Sequence, residues 1–451
     1  MLTSLFEIIG PIMVGPSSSH TAGMVRIGYL ANQYCKIKFR KIHLTLSWAM
    51  RQTYRGHRSD CALVAGVLGF APDSPEIKNA IAIAEQRGIS VTIDFFAENE
   101  MPPNTVHIRL MDEKENSSSI RAVSVGGGSV LLTQINGEDC EIDPVWECGA
   151  TISEDFTFDR YDDVIAYCRD HNLTLSQLAV LYESKRSGFS EDEIRKLMHK
   201  QIAVMRESAA KGIAGQNEML YGLTGGNDGK RLYDSAQNSQ SLSGATIMTA
   251  VARAVGVMEH NASMGCIVAA PTAGSAGIIP GCLLTLQEER GFDDETLVDA
   301  LLISGFVGVI MAHRKVSFSG SVGGCQGEVG VSSALAAAGL TAPCTQNPET
   351  IFHAAAMCLK NLLGLVCDPI AGPIEVPCIK RNAVGVVNAF VSADMALAGV
   401  KSYIPPDEVV DALIDIQKRM PVEFKCTVTG GLACTQTAQC LRRKLEKELN
   451  R

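Results

Sequence analysis

The 451-residue chain has no block of clustered lysine and arginine. With 40 basic against 49 acidic residues and a formal net charge of −9, it is poorly suited to neutralising phosphates, so nucleic acid is not expected as a partner. It also lacks an unbroken apolar run of the roughly 20 residues needed to cross a bilayer. The longest such run is Ala300–Ala312, and a second, Val384–Val400, is interrupted by Asn388 and Asp394. Both read as buried helices, and no membrane partner is expected. The segment MLTSLFEIIG has no basic stretch and carries Glu7, which speaks against a secretory signal. No CxxC pair occurs, so zinc ribbons, thioredoxin-type motifs and bacterial ferredoxin clusters lose support. Internal repeats and low-complexity tracts are absent.

What is present suffices for a large core. Hydrophobic residues make up 46% of the chain and charged residues 20%, which excludes a disordered chain. At roughly 150 residues per domain the length suggests two or three domains. The fifteen cysteines, without a signal segment, read as thiols in a reducing cytoplasm, with a subset available as metal ligands.

The chain divides into unlike halves, an α+β organisation. Lys41–Trp48, Ile89–Phe96 and Thr105–Leu110 alternate apolar and polar residues, the period of half-buried strands. Helical segments are expected over Asp60–Phe70 and over Pro75–Arg87, which Gly88 stops. The glycines Gly126, Gly127 and Gly128 sit between two strand-like runs, as a hairpin or as a binding loop. An acidic, turn-rich stretch, Gly137–Arg160, has no steady period and marks the join. The expected division is an α/β domain over 1–145, a linker over 146–160 and an all-α domain over 161–451. In the latter, Thr174–Gln177 and Ser190–Glu193 are capping boxes before amphipathic runs.

Three constellations carry chemistry. In Gly15-Pro-Ser-Ser-Ser-His-Thr-Ala-Gly23, small hydroxyl residues precede an expected helix, Met24–Gln33. Free N–H groups at such a place suit an amino-acid carboxylate, with Ser17, Ser18, Ser19 and Thr21 as candidate binders beside His20. A simple helix cap is the other reading. In Tyr54-Arg-Gly-His-Arg-Ser-Asp60, His57 lies between a strand and a helix, where an imidazole serves as a general base. Asp60 either orients it or caps the next helix. The third set is Cys325, Cys367 and Cys378, one in a glycine-rich turn and two beside prolines. Cysteines in helix interiors, such as Cys168 and Cys358, read as small hydrophobes. Spacing alone leaves the loop trio open between metal ligands and ordinary thiols.

Together these segments closely resemble the bacterial iron–sulfur L-serine dehydratases. The matching runs are GPSSSHTAG at Gly15–Gly23, NASMGCIVAAPTAGSAG at Asn261–Gly277, GGCQGEVG at Gly323–Gly330, LVCDPIAGPIEVPCIKRNAVG at Leu365–Gly385 and ADMALAG at Ala393–Gly399. Residues 4–140 are similar to the family's β part and about 160–445 to its α part, joined in one polypeptide. The resemblance implies an N-terminal domain like the allosteric substrate-binding domain of some phosphoglycerate dehydrogenases. It also implies an all-helical domain holding a [4Fe–4S] cluster on Cys325, Cys367 and Cys378, and a homodimer. His20 and His57 fall on the family's histidines, the latter as base. Asn261, Thr272 and Ser275 are further candidates for substrate or cluster contacts.

Eliminating water from serine requires loss of a weakly acidic Cα proton and departure of hydroxide. The sequence shows no pyridoxal-lysine motif to supply an electron sink. A cluster held by three thiolates would leave one iron open as a Lewis acid for the β-hydroxyl. An amino-acid sensor without catalysis is the competing reading.

Four departures from the family pattern bear on the substrate. Arg58 and Ser59 follow His57 where the family has a GHGTD-like run. Trp48, Met50 and Arg51 stand in a strand end read as one residue longer than the family's. Lys425-Cys-Thr-Val-Thr-Gly-Gly-Leu-Ala433 replaces RETGxGGLA, and Lys315-Val-Ser-Phe-Ser-Gly-Ser321 replaces NASISGA. Arg51 and Arg58 would suit a second acidic group on the substrate, or are simply solvated. The chain ends Glu448-Leu-Asn-Arg451, without the terminal cysteine by which some single-chain members ligate the fourth iron. Cys426, Cys434 and Cys440 are near enough in sequence for one of them to visit the site, or are ordinary small residues. No regulatory domain fits between the halves.

Overall fold

The computed structural model describes residues 3–51, 53–144, 156–371 and 374–449. Its strands are β1 (Ile12–Val14), β2 (Lys41–Leu46), β3 (Ser90–Phe95), β4 (Thr105–Met111), β5 (Ser117–Gly126), β6 (Ser129–Ile135), β7 (Glu138–Ile142) and β8 (Cys266–Val268). The alternating runs thus become β2, β3 and β4. Ile42, Leu44 and Leu46 of β2 are fully buried, on the same side of the chain as alternation requires.

Six strands form one mixed sheet in the order β3-β2-β4-β5-β6-β7. β2 and β3 run parallel, and the other neighbours are antiparallel. Helices Gly23–Tyr34 and Ser59–Val67 share the sheet's core through Met24, Ile27, Leu63 and Val64. The two helices touch at glycines: a Cβ on Gly28 would stand 2.2 Å from the Leu63 carbonyl oxygen, and one on Gly66 2.0 Å from that of Val25. The second expected helix begins as a tighter turn, Pro75–Asn79, before Ala80–Gln86. The glycine triplet is the hairpin between β5 and β6, with all three residues at positive φ. Part of the turn-rich join is structured, because Glu138–Ile142 pairs with β6 as the edge strand. Residues 145–155, most of the expected linker, lie outside the described residues.

From Tyr161 onward the regular elements among the described residues are helices apart from β8, which pairs antiparallel with β1. Both expected capping boxes form, at Thr174–Gln177 and Ser190–Glu193. The N-terminal helix Leu5–Ile8 packs in the helical core rather than against the sheet. Fully buried Glu183 anchors it by accepting from the Leu5 N–H (2.9 Å) and the Ser4 hydroxyl (3.0 Å), and is itself paired with Arg186 (2.9 Å). The apolar run at Ala300–Ala312 lies in a longer helix, Asp294–His313. That helix has the length and hydropathy of a membrane span, but 78% of its apolar window is buried inside the protein. It is an interior helix of the larger core.

Candidate active site

The helix-entry loop and the His57 turn of the sheet half, together with four segments of the helical half around Gly274, Gly320, Cys367 and Cys426, line one small cavity. On the first side, the Ser17 hydroxyl accepts from the His20 N–H (3.1 Å), and a wide turn over Ser18–Ala22 feeds helix Gly23–Tyr34. Two bonds lock the histidine segments together. The Thr21 hydroxyl donates to the His57 carbonyl (2.8 Å), and the Ser59 hydroxyl donates to the His20 carbonyl (2.7 Å). The imidazoles consequently stack, centroids 4.6 Å apart and planes 20° apart. From the helical half, Tyr221 donates its hydroxyl to the Arg55 carbonyl (2.7 Å) and braces the turn before His57.

Burial removes the solvent that would stabilise an imidazolium. It lowers the His20 pKa to about 4, against a smaller opposing bond to Asn104. Burial, then the neighbouring His20, lowers that of His57 to about 3, with the Thr53 carbonyl opposing. Both rings are therefore neutral at pH 7. His57 Nδ1 is buried with no well-formed hydrogen bond among the described residues.

On the facing side, Cys367, Cys378 and Glu328 line the cavity with Ser319, Gly320 and Ser321. Cys325 lies just behind them. Its Sγ, the Cys367 Sγ and a Glu328 carboxylate oxygen all lie within 4.8 Å of one another. Cys325 is set by Gly324 at φ +75°, ahead of a wide turn over Gln326–Gly330, while Cys378 opens helix Cys378–Leu397. One turn into that helix, Arg381 donates to Cys325 Sγ (3.5 Å), the Val366 carbonyl (2.8 Å) and the Asp368 carboxylate (2.7 Å). It places a cation beside the sulfurs. Interaction with the thiols of Cys325 and Cys426, then burial, pushes the Cys367 thiol pKa up, and burial first of all does so for Cys378. Burial likewise raises Glu328 to about 7, although it accepts from the Thr272 hydroxyl at 3.0 Å.

The candidates named from sequence thus fall into two groups. Ser17, Ser18, Ser19, His20, His57, Cys367 and Cys378 line the cavity, and Cys325 adjoins it. Thr21 acts as the strap to His57. Asp60 does not line the cavity; its carboxylate accepts from the Cys61 N–H (2.8 Å) in the first turn of its own helix. Asn261, Thr272 and Ser275 are buried behind the wall. Asn261 holds the Ala273 carbonyl (3.1 Å), Ser275 that of Ala270 (3.2 Å), and Thr272 holds Glu328. Arg51 stacks on Trp48 (4.6 Å) beside a separate surface groove, and Arg58 does not line the cavity either. Cys434 and Cys440 are exposed, whereas Cys426 is a cavity residue.

Sequence reasoning passed over Glu328, Arg381 and the serines Ser319 and Ser321. Glu328 had a visible signal, a lone acid in the run GGCQGEVG. Arg381 had none, since its role depends on a loop brought to it by folding.

Residues 4–134 match the serine dehydratase beta chain family and residues 170–433 the serine dehydratase alpha chain family. The L-serine dehydratase alpha chain of Peptoniphilus asaccharolyticus is 42% identical over 286 residues, 63% of this chain and 97% of that protein. A probable L-serine dehydratase alpha chain of Bacillus subtilis is 41% identical over 288 residues, 64% of this chain and 95% of its own length. The L-serine dehydratase of Streptomyces coelicolor is 29% identical over 463 residues, covering 96% of this chain and 99% of that one. The chain belongs to the serine dehydratase family, with counterparts of that family's beta and alpha chains joined in a single polypeptide.

Proposed function

We propose that the protein deaminates L-serine to pyruvate and ammonia by β-elimination of water. The observation that carries this reading is one cavity with two neutral, stacked imidazoles on one wall and buried cysteines on the other. A sensor would have no need for that pairing.

Cys325, Cys367 and Cys378 would hold a [4Fe–4S] cluster, and their surroundings fit one. The three side chains are buried, and Arg381 offers an N–H to Cys325 Sγ. A Cβ on Gly320 would stand only 3.0 Å from Cys367 Sγ, so the space beside that sulfur is kept clear. When bound, such a cluster supplies a Lewis-acidic iron for the departing hydroxide.

The remaining steps belong to the chain. Ser17, Ser18 and Ser19 receive the substrate carboxylate at the first turn, where the His20 N–H is capped by the Ser17 hydroxyl and the Ser18 and Ser19 N–H groups precede the first intrahelical bond. His57, neutral at pH 7, accepts the Cα proton on a ring nitrogen. The carboxylate entering beside it raises its basicity from the resting value. His20 packs against the His57 ring and, held by Ser17 (Nδ1 to Oγ 3.3 Å), fixes its plane. The aminoacrylate released tautomerises to an imine, which hydrolyses. Neither Arg51 nor Arg58 lines the cavity, which favours L-serine over an acidic analogue. A homodimer working in the reducing cytoplasm completes the reading; every described cysteine is a free thiol.

The test is an anaerobic assay of cluster-loaded protein with L-serine, L-threonine, L-cysteine and acidic β-hydroxy amino acids. Pyruvate and ammonia should appear in equal amounts from L-serine. Cys367→Ala should lose both the iron–sulfur absorbance and pyruvate formation. His57→Ala should keep the absorbance and lose roughly 100-fold or more in turnover, as expected for a general base. Turnover without the cluster, or at wild-type rate without His57, refutes the mechanism.

A further inference from the structure

A groove separate from the cavity carries a concentration of positive charge that the proposed reaction does not use. Its volume is about 510 Å³, within the range of small-molecule sites. Among the described residues, Arg51, Arg55 and Arg442 line it against a single acid, Glu446, in a chain whose net charge is −9. Two of the guanidiniums rest on aromatic rings. That of Arg51 lies 4.6 Å from the centre of the Trp48 ring, and that of Arg55 lies 5.6 Å from the centre of the Tyr54 ring. Tyr54 in turn packs edge-on against Phe95, with centroids 5.5 Å apart and planes at 67°, and both residues line the groove. A stacked guanidinium is held by its face and hydrogen-bonds through its N–H edge, the edge that matches phosphate and carboxylate. Arg442 comes from the helix Gln436–Leu449, where its Nε donates to Glu446 (2.9 Å).

The groove shares chain segments with both walls of the cavity. Gly56 lines the groove, and the next residue, His57, lines the cavity. On the other wall, Val428 lines the groove two residues after Cys426, which lines the cavity.

We infer that this groove binds a small molecule carrying two or more anionic groups, phosphate or carboxylate, and that the bound anion ties the C-terminal helix to the turn bearing His57. Its charges engage Arg51 and Arg55 of the sheet half and Arg442 of the helical half. The ligand is distinct from the amino-acid substrate, and no covalent bond is made or broken at the site. Arg51, a departure from the family pattern, thereby gains a role outside the cavity. The site goes beyond the function proposed above and does not depend on it.

The test is calorimetric titration, at physiological ionic strength, of protein kept reduced and anaerobic. It compares wild type, Arg51→Gln, Arg442→Gln and Arg443→Gln, the last an exposed control on the same helix but outside the groove. Fructose 1,6-bisphosphate and glutarate are the two-group probes, which separate phosphate from carboxylate, and inorganic phosphate is the single-group probe. At least one two-group probe should bind wild type and Arg443→Gln about ten-fold or more tighter than inorganic phosphate does, and each groove variant should lose about ten-fold in affinity for it. With that probe, amide hydrogen exchange should slow at residues 53–58 and in the helix Gln436–Leu449 of wild type and Arg443→Gln, but not of the groove variants. Failure of both two-group probes to bind, or an equal loss in Arg443→Gln and the groove variants, overturns the site, the latter by showing diffuse charge attraction only. Binding that leaves exchange in the His57 turn unchanged overturns the tie between the helix and that turn. Neither readout requires turnover, so the outcome is separate from that of the serine assay.

Discussion

Acid should unfold this protein through His57, and the size of the effect follows from its burial. In the folded chain His57 takes up a proton only as pH approaches about 3, whereas in the unfolded chain an ordinary histidine does so near pH 6.5. Between those values the unfolded chain holds more protons, so lowering the pH favours unfolding. The stability contributed by the neutral ring is intact above about pH 6.5 and drains away below it. From pH 7 to pH 5 the loss integrates to about 2 kcal/mol for His57 alone. His20 adds in the same direction, but it keeps part of its surface on the cavity. The measurement is urea unfolding of cluster-free protein, kept reduced and anaerobic, at pH 7, 6 and 5, for wild type and His57→Gln. The glutamine does not titrate, so the variant should lose about 2 kcal/mol less than wild type over that interval. The same depressed pKa implies that kcat/KM of the loaded enzyme has no acid limb at pH 6–7. Equal losses in the two proteins, or a His57 ring that titrates near pH 6.5 by NMR, would refute the reasoning.

Two further outcomes test how the sheet half presents its histidines. Gly66→Ala puts a methyl 2.0 Å from the Val25 carbonyl oxygen and 2.6 Å from the Tyr29 nitrogen. The helices following His20 and His57 must then separate, at a cost of about 1–3 kcal/mol, and thermal unfolding should show it together with reduced kcat. Arg58 occupies left-handed backbone at φ +55°, and its Nε is buried without a hydrogen-bond partner among the described residues. Arg58→Gly should therefore be stable to within about 1 kcal/mol of wild type or better. Its L-serine kcat/KM should stay within about two-fold of wild type; a large loss would mean that Arg58 touches substrate.

The parts of the fold legible in the sequence are those governed by local repetition. β2, β3 and β4 follow from strict alternation, and the capping boxes at Thr174 and Ser190 declare their helices by residue type. What escaped was set by tertiary packing. β7 has little apolar alternation to announce it and exists because β6 offers an edge. Leu5–Ile8 is too short to declare its partner, and it belongs with the helical core because Glu183 receives its free N–H groups. At the site, residue types and short motifs singled out both histidines and the three loop cysteines. They did not separate cavity residues from those behind the wall, such as Asn261 and Ser275, because both kinds lie in the same motif-rich loops.

The departures from the family pattern take on a direction once they are placed in space. The wall that would receive the amino-acid carboxylate keeps GPSSSHTAG unaltered, and the changes nearest it, Arg51 and Arg58, do not line the cavity. The opposite wall is different. Ser319 and Ser321 come from one altered run and Cys426 from another, and all three face the cavity beside Cys367 and Cys378. In the proposed mechanism that is the side on which the leaving group departs. A changed substrate preference would therefore show as discrimination among L-serine, L-threonine and L-cysteine, which differ at the β-carbon. It would not show as acceptance of a second carboxylate, for which the cavity wall supplies no arginine among the described residues.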